Sequence, residues 1–135
     1  MNILVIDAQG GGIGKQVISL LKETFEKVEI TAVGTNSAAT AAMLKAGADH
    51  GATGENAVIV GCRKADIIIG PVGIVIADAL YGEITPEMAK AVGQSNAKRI
   101  LIPVNHCDNF VVGVSNLSIT KLLQEVVEEV ANIIK

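Results

Sequence analysis

The sequence predicts an α/β fold, a Rossmann-like doubly wound sheet, mostly parallel, of about five to six strands with helices on both faces. Three observations carry that expectation. Apolar strand-like runs alternate with helical patterns along nearly the whole chain. The first run, NILVID, leads directly into a glycine-rich turn, AQGGGIGK. The apolar residues are almost all Val, Ile, Leu and Ala, with Phe25, Phe110 and Tyr81 the only aromatics, a mix suited to buried parallel strands under helices. At 135 residues, half of them hydrophobic, the chain is expected to fold as one domain with a sizeable core.

The elements follow from local patterns. The first strand ends at Asp7, and Gly10, Gly11, Gly12 and Gly14 come next. Ile13, Val17, Leu20, Leu21 and Phe25 then recur at helical spacing. A second strand over residues 28–33 ends in Gly34, and Thr35 or Asn36 caps a helix over 37–46 that Gly47 stops. Residues 48–52 read as a short strand, placed mainly by lying between two helices. Thr53 or Gly54 opens a helix reaching residue 65, with Glu55 in its first turn.

Residues 66–70, DIIIG, form the fourth strand. Residues 74–80 are apolar on nearly every side except at Asp78, which predicts a short helix buried against the sheet or a partner. Thr85, Pro86 and Glu87 mark the next helix start. Residues 98–104 give a fifth strand and residues 110–114 a sixth short one. Ser118 caps the last helix, Leu117 and Leu122 stand across that cap, and Leu122, Val126, Val130 and Ile133 line its apolar face.

Composition excludes several functions. The net charge is −3, without a basic cluster or an aromatic platform, which argues against nucleic acid and against a membrane surface. The longest apolar stretch, residues 67–82, is broken by Gly70, Pro71, Gly73 and Asp78 and does not suit a membrane-spanning helix. No signal peptide is recognisable at the N-terminus, and with only Cys62 and Cys107 the chain reads as cytoplasmic with free thiols. Few charges and high mean hydropathy predict a homo-oligomer, most simply a homodimer.

In a doubly wound sheet, ligands sit beyond the carboxyl ends of the strands, so the loops over residues 7–14, 34–37, 50–55, 70–73 and 105–109 hold the candidates. A glycine turn entering a helix gathers backbone amides at the positive end of a dipole, a ready phosphate site. The dinucleotide fingerprint is met in part, with Gly10 and Gly12 in its first two places and Lys15 in the third. The turn also ends in Gly14-Lys15 like a nucleotide-hydrolase loop, but Gln16 stands where magnesium needs Ser or Thr, so hydrolysis is the weaker reading. Asp7 could serve as a nucleophile or metal-binding acid, although Gln9 stands where a second acid is usual. The alternative is structural: the glycines let a helix approach the sheet while Asp7 binds loop amides.

The functional reading is a binder of a phosphate-bearing nucleotide or dinucleotide. The pyrophosphate is expected on amides of Gly10, Gly11, Gly12, Ile13 and Gly14, with Lys15 neutralising charge. Thr35, Asn36 and Ser37 lie toward the adenosine end, and Gly70, Gly73 and Asn105 toward the other. Because no acid ends the second strand, the expectation leans to a 2′-phosphate, as in NADP. Asp78 and Cys107 are the candidate catalytic groups of an enzyme whose site is completed across a dimer. A non-catalytic sensor or partner-binding module is the other class. His50, His106, Cys107, Asp108 and Cys62 lack metal-ligand spacing, so no metal is expected.

The stretches NILVIDAQGGGIGK, ITAVGTNSAATAAMLKAGADHGATGENA, GPVGIVIADALYGEITPEMA and LIPVN together resemble a family of short bacterial proteins filed as a domain of unknown function. The resemblance spans nearly the whole chain. It implies a self-contained domain and no particular activity, substrate or catalytic residue.

Overall fold

The computed structural model describes residues 1–104, 108–114 and 117–135. Five strands, β1 (Asn2–Asp7), β2 (Glu29–Gly34), β3 (His50–Thr53), β4 (Ile67–Pro71) and β5 (Lys98–Ile102), form one parallel sheet in the order β3-β2-β1-β4-β5. The helices are α1 (Gly12–Thr24), α2 (Ser37–Lys45), α3 (Glu55–Lys64), α4 (Pro86–Gln94) and α5 (Ile119–Ile134). Strand order reverses between β1 and β4, which makes the carboxyl end of β1 the topological switch point.

Two apolar layers hold the sheet. Ile3, Val5, Ile30, Ala32, Ile67 and Ile69 pack under α1, α2 and α5, while Leu4, Ile6, Val33 and Ile68 pack under α3 and α4. Burying each Val, Leu or Ile contributes about 1.5–3 kcal/mol, so the continuous run in β1, buried from Ile3 to Asp7, fixes it at the centre. The helix starts are capped as their residues require. The Asn36 side chain accepts the Ala39 amide at 2.9 Å, Thr85 that of Met88 at 3.2 Å and Ser118 that of Lys121 at 3.3 Å.

Three expectations need correction. The third strand lies at residues 50–53 rather than 48–52, with every residue exposed at the sheet edge. Residues 74–80 do not make a helix. A 3-10 turn at Val72–Val75, in which Ile74 is buried, is followed by turns that bury Leu80 and leave Asp78 exposed. Residues 110–114 form no strand, because Gly113 adopts φ 87° and the apolar side chains there find no sheet. Phe110 and Val112 are 83% and 86% exposed. Among the described residues no helix is long and apolar enough to cross a membrane.

Candidate functional site

The turn after β1 is closed by the Gly11 amide donating to the Ala8 carbonyl at 3.0 Å, with Gln9 at φ 52°. Its four glycines divide into two pairs. Gly11 adopts φ 72°, and a Cβ there would stand 2.9 Å from the Ala39 carbonyl oxygen. A Cβ on Gly14 would meet the Met43 sulfur at 2.5 Å and the Asp7 Cβ at 3.0 Å. This pair exists so that α1 and α2 can approach the turn. Gly10 and Gly12 are different, because nothing lies within 4 Å of either Cβ position. Both line a cavity of about 270 Å³ shared with Asp7, Ala8, Gln9, Ile13, Gln16 and Leu80.

Asp7 is buried at the end of β1, where its Oδ1 accepts the Ala8 amide at 2.8 Å and its Oδ2 the Gly14 amide at 2.7 Å. The carboxylate thus occupies part of the positive end of α1. Burial pushes its pKa up, the amides of Gly14, Ala8 and Ile13 oppose that shift, and the charge of Glu83 adds to it.

Glu83 was not anticipated. It lies in the connection between β4 and α4, yet its Oε1 accepts the Gln9 amide at 2.9 Å, the Thr35 hydroxyl at 2.6 Å and the Asn36 side-chain amide at 2.8 Å. Asn36 also donates to the Gln9 carbonyl at 2.9 Å. These bonds, led by that from Thr35, hold the Glu83 carboxyl below its ordinary range. The sequence-based lean toward a 2′-phosphate rested on the lack of an acid at the end of β2; the fold brings one there from a distant segment. No local signal marks it.

The other candidates are dispersed. Ser37 is exposed at the first position of α2. Lys15 lines a different groove, with residues of α2 and α5, rather than the cavity at the turn. Gly70 and Gly73 are buried; a Cβ on Gly70 would lie 2.6 Å from the Ile6 carbonyl oxygen, and one on Gly73 would touch Leu80 and Ala79. Both serve packing. Asp78 is exposed at φ 66°, with its backbone N–H donating to the Ile84 carbonyl at 2.7 Å. Asn105, His106 and Cys107 lie outside the described residues.

His50 begins β3, at the end of the sheet opposite the ligand side, and pairs with Glu29 at 2.6 Å. Cys62 is buried on α3, and desolvation raises its thiol to about 11, which suits a small core side chain. Among the described residues no group of three or more His, Cys, Asp or Glu could hold a metal ion.

The fold and the turn define a Rossmann-like α/β protein with a cavity at its switch point. The chain belongs to the family described as a domain of unknown function, DUF3842, whose model matches residues 2–135. No curated protein matches it. One similar solved structure is the dodecameric FMN-dependent UbiX-like decarboxylase from Escherichia coli O157:H7. It shares 19% identity at a TM-score of 0.49, with 98% of this chain and 75% of that one covered. That likeness carries no argument about ligand or assembly.

Proposed function

We propose that this protein binds a phosphate-bearing nucleotide or dinucleotide at the glycine turn after β1. The observation that carries the reading is the pairing of Gly10 and Gly12, which present unobstructed backbone to a cavity at the switch point. Bare backbone there lets a phosphate approach closely, as in other doubly wound sheets. The flanking carboxylates of Asp7 and Glu83, and the absence of Lys15 from the cavity, favour a ligand of modest charge over a triphosphate. Neutral Thr35, Asn36 and Ser37 would suit NADP, but Glu83 beside Thr35 and Asn36 counts against a 2′-phosphate.

A second reading has its own support. Asp7 already satisfies amides at the start of α1, and Gly11 and Gly14 serve packing, which favours a turn whose role is structural in a sensor or partner-binding module. Association with a second copy of the chain, expected from the high hydrophobic content, is tested by mass measurement in solution.

Thermal shift against NADP, NAD, ADP, ATP, coenzyme A and S-adenosylmethionine separates the readings. A ligand at about 100 times its dissociation constant adds roughly 2.7 kcal/mol. A shift with one of these ligands that Gly12→Val abolishes without unfolding the protein supports the nucleotide site. No shift with any of them favours the structural turn.

A further inference from the structure

The segment from Asp78 to Glu83 is unusual for its backbone. Asp78, Leu80 and Tyr81 all adopt left-handed conformations, at φ 66°, 57° and 60°, and Gly82 follows at φ 81°. Non-glycine residues there cost energy and persist only where surrounding contacts over-determine them, a condition common at ligand sites. Leu80 is buried and lines the cavity at the turn, while Tyr81 is 95% exposed. The segment therefore folds tightly on itself and delivers Glu83 to the end of β2.

The carboxylate it delivers is asymmetric. Oε1 takes all three donors, from Gln9, Thr35 and Asn36, while Oε2 has no hydrogen-bond partner among the described residues. A fastening for the loop alone gains from using both oxygens. With Oε1 held and Oε2 unengaged among the described residues, Glu83 presents a fixed acceptor. Gln9, whose amide binds Glu83, also lines the cavity with Gly10 and Gly12, so the acid adjoins the proposed phosphate site.

In dinucleotide-binding sheets, an acid at the end of the second strand receives a ribose hydroxyl, and a neutral or basic end admits a 2′-phosphate. Here β2 ends in Gly34, followed by Thr35 and Asn36, with no acid of its own. We propose that Glu83, supplied from the β4–α4 connection, is the ribose-binding acid of this site. It accepts from the 2′- or 3′-hydroxyl of an unphosphorylated ribose and repels a 2′-phosphate. Thr35 and Asn36 are its positioning residues. The inference rests on the nucleotide reading and fixes the ligand class within it, as nucleotides with a free ribose diol.

Calorimetric titration with NAD and NADP tests it. The unmodified protein is expected to bind NAD at least about tenfold more tightly than NADP, since a dianionic phosphate beside a fixed carboxylate is repelled. Glu83→Gln keeps an oxygen for the three donors but removes the charge and the open acceptor. It is expected to weaken NAD about tenfold and leave NADP unchanged or improved, so that the preference disappears. Equal or tighter binding of NADP by the unmodified protein overturns the inference while leaving the nucleotide site intact, as does an unchanged preference in Glu83→Gln. Binding of neither ligand overturns the inference, and the nucleotide reading falls with it if the other nucleotides also fail. Should Glu83→Gln not fold, the preference of the unmodified protein still decides.

Discussion

Asp7 Oδ2 accepts the amide of Gly14 at 2.7 Å across the glycine turn, tying the end of the central strand to the first turn of α1. The same carboxylate accepts from Ala8, so a truncated side chain leaves two amides without their acceptor. Asp7→Ala is therefore expected to lower stability by about 1–3 kcal/mol, read as a lower urea midpoint with an unchanged slope. A midpoint equal to that of the unmodified protein would show that water replaces the carboxylate at no cost.

The division of the glycines predicts opposite outcomes for one kind of change. Gly14→Ala places a methyl against Met43 and Asp7, and overpacking of about 1–3 kcal/mol exceeds the gain in helix propensity of about 1 kcal/mol. Gly11→Ala adds a left-handed residue and a clash with the Ala39 carbonyl, and is expected to cost more. Gly12→Ala meets nothing and should leave the melting temperature unchanged or slightly raised. Equal losses at Gly12 and Gly14 would contradict the division.

Glu83 predicts a pH dependence of definite sign. Its carboxyl titrates below the ordinary value of 4.5 in the folded protein, so the unfolded chain holds the proton more tightly. The resulting stability is whole above that ordinary value and is lost as pH falls through the depressed folded value. Glu83→Gln should be less stable than the unmodified protein near neutrality, and the gap should narrow as pH falls below about 4.5. A gap independent of pH contradicts an ionised Glu83 in this role.

Tyr81 stands at φ 60° with 95% of its surface exposed, so its ring contributes little packing to offset the backbone cost. Replacing it with glycine removes strain of about 1–2 kcal/mol and adds about 0.5–1 kcal/mol of chain entropy to be lost on folding. Tyr81→Gly is expected to gain about 0.5–1 kcal/mol in urea unfolding. A loss of stability would mean that the ring is held against another surface, which the mass of the protein in solution would then reveal.

The fold was legible because its signals are local. The buried run of β1, the caps at Asn36, Thr85 and Ser118, and the apolar face around Leu122, Val126 and Val130 each lie within a few residues of what they specify. Phe110 and Val112 misled because apolar composition suggests a strand while Gly113 and the missing sheet neighbour decide against one. For Asp78 the sequence left burial and exposure even, and the left-handed turn that carries the acid outward decides for exposure. Glu83 was invisible because its partners, Gln9, Thr35 and Asn36, lie 74, 48 and 47 positions away and only the folded sheet brings them together. The glycine turn lay between these cases. Its presence was plain, but which glycines pack and which face a cavity depended on Ala39 and Met43 of α2.

The central claim is that Gly10 and Gly12 receive a nucleotide at the switch point. Titrating the isotopically labelled protein with NAD, and separately with ADP, while following its backbone amide resonances tests this directly. The account predicts saturable shifts largest at Gln9, Gly10, Gly12 and Ile13, with Thr35 and Asn36 also moving. Shifts confined to other parts of the molecule, or none at millimolar ligand, would contradict it.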